Sequence, residues 1–524
     1  MSGKTAVSLP LGIAKDSNVK KRTQTKFGGL CRERMASGED ISYMLNTTCC
    51  DHPRISARER RRLSSASAVA GSTSYTVAVS DKVYVVEGDK LYISENGART
   101  ECCTLSSESD KKIICYGNDL VILPDYIHYQ SPFGYTKSMR ISTDVIKATI
   151  SGNSLVAESV DFEDIGFRMG DGVTVTSVAS TLSSHVFTVN STVYYVDGNT
   201  LLIDGVFPSD GEYAIRVRRD IPSLTHAVCW GERMYGTSGS NVNISEEGNI
   251  YNWKGKRGLD SDPVTMPSVS VGSFTACAEW NGYIVFFKEG SICKLLGNKA
   301  SSYVLSEVTA PGIPEGGHKT LVSLGGALYY CGTMGVYKYD GTHPKRIDQG
   351  ALPDGLKATA AATDGERYYL AANGKVYVYD PVRQLWSAES GAAIVSMAGR
   401  AGEVYMLTSG GLLFASGDTA EGGLEDATDA WLSFGYDDGG AAEKKSLLSL
   451  SLTVRLGEGA DLEVLAEFDE DGEQVLVGNS RGRGAWENLT YMCPPNICGG
   501  FRIHLHARGS FTLASLTRNY RIIS

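Results

Sequence analysis

The stretch TACAEWNGYIVFFKEGSICKLLG, residues 275–297, holds three short apolar runs separated by two polar turns. The first turn is Asn281-Gly282. An Asn-Gly pair accepts positive φ at both positions, which gives the tight turn whose twist matches two antiparallel strands. The second turn centres on Glu289-Gly290 and leads to a third strand. The plan recurs in KTLVSLGGALYYCGTMGVYKYDG (319–341), AAATDGERYYLAANGKVYVYD (360–380) and VSMAGRAGEVYMLTSGGLLFAS (395–416), with Asp340-Gly341, Asp364-Gly365 and Asn373-Gly374 at turns. Units of three or four strands at a spacing of roughly 40 to 50 residues are the pattern of a β-propeller, whose blades bury their faces only against one another.

Earlier segments fit the same plan: DKVYVVEGDKLYIS (81–94), KKIICYGNDLVILP (111–124) and HAVCWGERMYGTSG (226–239). The expectation is an all-β protein with six or seven blades between about residues 75 and 425, without a WD or kelch consensus. Composition agrees. Glycine, at 59 of 524 residues, is frequent enough to serve many turns, and the 27 tyrosines outnumber phenylalanine and tryptophan together. Residues 131–221 interrupt the rhythm. There FRMGDGVTV (167–175) reads as the opening strand of a small inserted β domain. From 426 the strands lengthen and alternate apolar with polar residues, as in SLLSLSLTVRLGEGADLEVLAEFD (446–469), which predicts a C-terminal β-sandwich to residue 524. The blades thus fall at 75–130 and 222–425.

Charge is unevenly placed. Residues 1–62 carry a net +7, against −10 for the whole chain, so the remainder carries −17. The basic residues include Lys20, Lys21 and Arg22, then Arg54, Arg58, Arg60, Arg61 and Arg62. We read 1–62 as a basic arm and lead-in strand, with those eight residues as a candidate interface for an acidic neighbour. No apolar run reaches the roughly 18 residues of a membrane span, so membrane insertion is not expected. Twelve cysteines, mostly in strand-like runs, predict buried free thiols in a protein made in a reducing cytoplasm. The pairs Cys49-Cys50 and Cys102-Cys103, and Cys493 with Cys498, lack the spacing of a zinc site.

The segment ISEEGNIYNWKG (244–255) raises the question of catalysis. Its Ser, acids, Gly and Trp approach the Asp-box turn of sialidase propellers. Gly248 follows Ser245 by three residues rather than four, however, and Glu247 stands where the Asp should be. Arg233, Arg257 and Arg367 could be nominated as a sialidase trio, but their spacing does not select them. A glycosidase needs two carboxylates across a cleft, and no acidic pair stands in such a motif. No GxSxG or HExxH motif occurs. His504 and His506 alternate on one strand face but suggest no third metal ligand. YDDGG (436–440) and DEDGE (469–473) read as acidic turns rather than calcium loops. No catalytic residue, cofactor or metal is expected.

Within residues 221–264 the chain sets Glu232, Arg233, Met234, Tyr235 and Gly236 at a strand end, then Ser245, Gly248, Asn252 and Trp253 in the turn that follows. With the stretch 272–341, YVYDPVRQLWSAES (377–390) and the terminal CPPNICGGFRIHLHARGSFTLASLTRNY, this resembles virion propeller proteins of tailed phages and prophages, of the packaged-DNA stabilisation or tail-nozzle type. Glu232 departs from that pattern, which has Asn. The resemblance covers about residues 220–390, with a looser match over 440–524. It implies a non-enzymatic component of the virion tail or neck, made in the host bacterial cytoplasm. Its expected state is a hexameric ring that contacts portal, adaptor or other tail proteins. Packaged DNA would pass through the lumen without sequence-specific contacts, and acidic walls would let the phosphates slide. In this reading Arg233, Gly236, Ser245, Gly248, Asn252 and Trp253 build a blade-edge turn whose tryptophan staples the next blade. A receptor- or glycan-binding propeller at the tail tip is the alternative, and a glycan hydrolase a remote one.

Overall fold

The structure is a computed structural model that describes residues 18–33, 40–66, 75–79, 82–95, 97–106, 111–391, 393–400, 402–417, 423–427, 429–440 and 442–523. Among these residues seven antiparallel sheets form a ring of blades, at 75–104, 112–138, 226–267, 276–309, 322–346, 358–390 and 394–416. The first strand of each blade neighbours the first strand of the next, and Ile394–Arg400 returns to Tyr75–Val79, so the ring is closed. The turn chemistry is as the sequence dictates. Asn281 and Gly282 have φ of 48° and 80°, and Asn373 and Gly374 have 51° and 73°.

Tyrosine serves the blades better than phenylalanine because its ring fills the space between sheets while its hydroxyl satisfies a buried carbonyl or carboxylate. Tyr329 stacks on Tyr368 of the next blade, with centroids 5.6 Å apart. Tyr330 Oη donates to the Pro311 carbonyl at 2.6 Å, and Tyr368 Oη to that of Thr320 at 2.9 Å.

The seventh blade borrows strands from the other end of the chain. Arg62–Ser65 pairs with Leu413–Ser416, placing Arg62 opposite Ala415 and Leu63 opposite Phe414, and Gly423–Leu424 adds outside it. The start and the end of the propeller sequence are therefore held in one sheet.

The interruption is a closed six-stranded barrel between Ile146 and Arg219. Residues 135–138, expected inside the insertion, are instead the outer strand of blade 2. Ile150, Leu155, Val175, Leu201 and Val217 fill the barrel. A one-turn helix, Phe162–Ile165, adds Phe162 to that core. Asp161 caps it by accepting from the amides of Glu163 and Asp164, at 2.9 and 3.0 Å.

Two sheets, of six and five strands, pack as the terminal sandwich. It is not purely C-terminal. Val19–Gln24 runs antiparallel to Phe511–Ile523, Ile41–Leu45 pairs with Asp429–Phe434, and Ile55–Ala57 lies against Phe511–Ile523. The reading of 1–62 as a basic arm and lead-in strand into the first blade is corrected for the described residues: strands 19–24, 41–45 and 55–57 belong to the chain's own sandwich, and Arg62–Ser65 enters the seventh blade. Residues 1–17 lie outside the described residues. The polar run VKKRTQ can be a strand because it sits at a sheet edge, where five of its six side chains meet solvent. One apolar core runs from Leu452, Val464 and Leu516 in the sandwich through Phe27 to Tyr377 and Trp386 in blade 6. No helix among the described residues is long and apolar enough to cross a membrane.

Candidate functional site: the seat of the inserted barrel

The residues singled out in 233–253 do meet. Arg233, 3% exposed, donates from Nη1 to the carbonyls of Ser245 at 2.8 Å and Asp262 at 3.3 Å. Its Nη2 reaches the Asp260 carbonyl at 3.0 Å and Glu247 at 3.3 Å. Ser245 Oγ accepts from the Met234 amide at 2.9 Å, and the Gly248 amide donates to the Glu232 carbonyl at 2.9 Å. Gly236 leaves room for Leu224: a Cβ there would lie 2.8 Å from that side chain. Gly248 has a φ of 74°, which glycine adopts without strain.

Asn252 closes the turn. Its Oδ1 accepts from the Gly255 amide at 2.8 Å and its Nδ2 donates to the Gly255 carbonyl at 3.0 Å. Trp253 is 1% exposed and donates Nε1 to the Ile250 carbonyl at 2.8 Å. Its ring packs with Ile114, Val121 and Leu123 of blade 2. It therefore staples the preceding blade, where the sequence reading had the next. Two acids that the sequence reading passed over complete the seat. Asp262 Oδ2 takes the amides of Arg257, Gly258 and Leu259 at 2.9, 2.7 and 3.0 Å. Glu246 pairs with Arg257 and accepts from Asn252 Nδ2 at 3.1 Å. In sequence both look like ordinary turn acids, and their burial depends on the barrel and blade contacts around them.

The barrel docks here. Gly255 touches Gly170 and Gly172 backbone to backbone: a Cβ on Gly255 would stand 2.0 Å from the Gly170 carbonyl oxygen. The Lys256 amide donates to Thr192 Oγ1 at 3.0 Å. Arg219 at the barrel's end pairs with Asp171 at 2.7 Å, and its guanidinium lies 5.5 Å from the Tyr251 ring centroid. Burial pushes the Asp171 carboxyl above the ordinary aspartate value, against the pull of Arg219. Tyr251 Oη and His128 Nδ1 are 2.7 Å apart, and His128 Nε2 and Asp119 of blade 2 are 3.0 Å apart. Burial holds His128 below the usual imidazole value, with Asp119 opposing.

The basic residues of the expected arm are spread over the lower seam instead. Lys20 and Lys21 are exposed on the edge strand, and Arg22 pairs with Asp437 at 2.9 Å. Arg54 lies over the Trp486 ring at 5.2 Å. Arg58 and Arg61 are buried against Glu389 and Glu425, Arg60 Nε donates to the Glu425 carbonyl at 2.7 Å, and Arg62 opens the borrowed strand. Arg367 sits in blade 6 against Asp364 and Cys50, apart from the contacts of Arg233 and Arg257. His504 contacts Ser433 and Glu467, and His506 contacts Glu463 and Asp429. All twelve cysteines are unpaired, but only Cys49, Cys293, Cys331 and Cys498 are buried, fewer than expected.

No protein-family model and no curated protein matches this chain. Solved structures with a related fold include BamB from Moraxella catarrhalis, 11% identical over 66% of this chain and 97% of that one, with a TM-score of 0.35. The WD40 domain of Neurospora crassa Pan2 is 8% identical over 67% and 90%, at 0.37. Kluyveromyces lactis Hsv2 is 9% identical over 79% and 99%, at 0.31. These likenesses concern the propeller fold alone.

Proposed function

We propose that this chain is a structural subunit of a tailed-phage virion, a tail nozzle, hub or connector-associated ring component that helps retain and conduct packaged DNA. The observation that carries the non-catalytic part is the fate of the Asp-box-like segment. Arg233, Ser245, Asn252 and Trp253 are buried and bonded to backbone groups of the same blade edge, those of Ser245, Met234, Gly255 and Ile250 in turn. A hydrolase would instead turn such groups toward substrate in an open cleft. Here they seat one body of the protein on another. The phage assignment rests on the sequence resemblance over residues 220–390, and the acidic balance of the body suits a lumen along which DNA slides. Native mass spectrometry of the full chain with the portal and adaptor proteins of its phage tests this. A closed ring, sixfold by expectation, that binds the adaptor supports the reading, and a monomer that binds neither sinks it.

The receptor- or glycan-binding reading has one observation in its favour. A groove of about 500 Å³ on the sandwich is lined by Asp461, Glu463, Asn479, Arg481, His506 and Arg508. Part of its charge is already compensated by pairs such as Arg508 with Asp429, which suits a neutral hydroxylated ligand.

A further inference from the structure

At the seam between the N-terminal segment and blade 6 lies a cavity of about 270 Å³. The strands of blade 6 give it Lys375 and Tyr377, the turn before them Asn373, and the N-terminal segment Arg32, Ser42 and Tyr43. Among the described residues its lining carries two cations and no carboxylate. Among the described residues neither Arg32 nor Lys375 has an acidic partner; Lys375 Nζ instead lies 4.8 Å from the Tyr43 ring centroid. Arg22, Arg58 and Arg61 of the N-terminal segment, by contrast, each have a carboxylate.

Arg32 is exposed and Lys375 half-buried, so solvent screens part of their repulsion, and an anion between them would relieve the rest. Burial first, and then the Arg32 charge, hold the Lys375 ammonium below the usual lysine value. The surroundings suit an oxyanion. The Tyr377 hydroxyl and the Asn373 amide carry hydrogen-bond donors on the same walls, while the Ser42 hydroxyl donates to the carbonyls of Ser433 and Phe434. Guanidinium and ammonium groups bind carboxylate and phosphate oxygens by charge-assisted hydrogen bonds.

We propose that this cavity is an anion-binding site, built by Arg32 and Lys375 for a small oxyanion, carboxylate or phosphate. Because its walls come from the N-terminal segment and from blade 6, a bound anion ties the two together. The anion has two possible sources: a free ion, or an acidic side chain of a second copy of this acidic-bodied chain.

The test is calorimetric titration of the full chain with inorganic phosphate and with citrate, at constant ionic strength. The expected result is saturable binding to a single site, weakened about ten-fold or more by Lys375→Gln and by Arg32→Gln. Circular dichroism of both variants confirms that they remain folded. Absence of saturable binding, or binding unchanged in both variants, overturns the proposal. Sedimentation with and without phosphate separates the sources. Competition between phosphate and self-association assigns the site to a neighbour's carboxylate, and phosphate binding that leaves association unchanged assigns it to a free ion.

Discussion

Arg61, at the exit from the sandwich, donates from Nη2 to Oε2 of Glu389 in blade 6 at 2.7 Å, across 328 residues of chain. Beside it, Arg58 pairs with Glu425 at 2.5 Å, and the Arg61 amide donates to the same Glu425 carboxylate at 2.8 Å. Two arginines and two glutamates thus lock the lead-in segment where it enters the seventh blade. Removing one partner strands a buried charge. Glu389→Gln is expected to cost about 3–5 kcal/mol of stability, in the range of broken buried pairs. Denaturant titration measures the cost. Hydrogen exchange should show 62–65 and 413–416 losing protection together.

The same lock makes stability depend on acid. Burial raises the Glu425 carboxyl, but the Arg58 bond and the Arg61 amide outweigh it and leave the group below its ordinary value of 4.5. A carboxyl depressed by folding contributes stability that is fully present above its unfolded value. That stability is lost as pH falls from there through the folded value. Glu425→Gln should therefore lower stability at neutral pH and flatten its fall below pH 4.5. Thermal melts of both proteins from neutral pH downward decide it; parallel curves would remove Glu425 from the account.

Gly255 is where the barrel rests on blade 3. Gly255→Ala drives a Cβ to 2.0 Å from a backbone oxygen, and no side-chain rotation relieves that contact. The barrel should lift while its own core, closed by Ile150, Phe162 and Val217, stays intact. Limited proteolysis is expected to cut the connections near 140 and 221 faster in this variant. Trp253→Ala acts on the other side of the turn. It opens a cavity between blades 2 and 3 and should cost about 3–5 kcal/mol.

The thiols should react unequally. Cys49 and Cys50 are neighbours in sequence, yet Cys49 is buried with its thiol pushed up to about 12, chiefly by burial, while Cys50 is exposed beside Arg367. Alkylation of the native protein followed by mass spectrometry should label Cys50 early and leave Cys49, Cys293 and Cys331 until the chain is denatured. Early labelling of Cys49 would contradict its packing in the core with Phe27, Met44 and Ile55.

What the sequence shows and hides follows from range. The blades were legible because each is a local meander: Asn281-Gly282 and Asn373-Gly374 fix their turns with no help from elsewhere. The sandwich strands 444–456 and 461–468 were legible for the same reason, since one apolar face alternates along each. The lead-in was not. Val19–Gln24 has no apolar alternation, because its partner supplies only an edge to pair with, and Arg62–Ser65 joins a strand some 350 residues away. Nothing local marks such a pairing, and a run of arginines reads as a solvated arm until Glu389 and Glu425 are brought to it. Within the seat, Arg233, Ser245 and Asn252 stood out through the family resemblance. Asp262 did not, because its role is to collect three amides of its own turn, and its burial comes from the packed seat around it.

The proposed role, a structural ring subunit on the DNA path of a tailed phage, is tested most directly by a cryo-EM reconstruction of virions carrying the chain, with the seven-bladed ring, barrel and sandwich fitted to the tail density. The account predicts copies of the subunit in a symmetric ring on the tail axis below the portal, with the lumen open to DNA. Purified virions that lack the chain, or that carry it only at the ends of peripheral fibres, would contradict it.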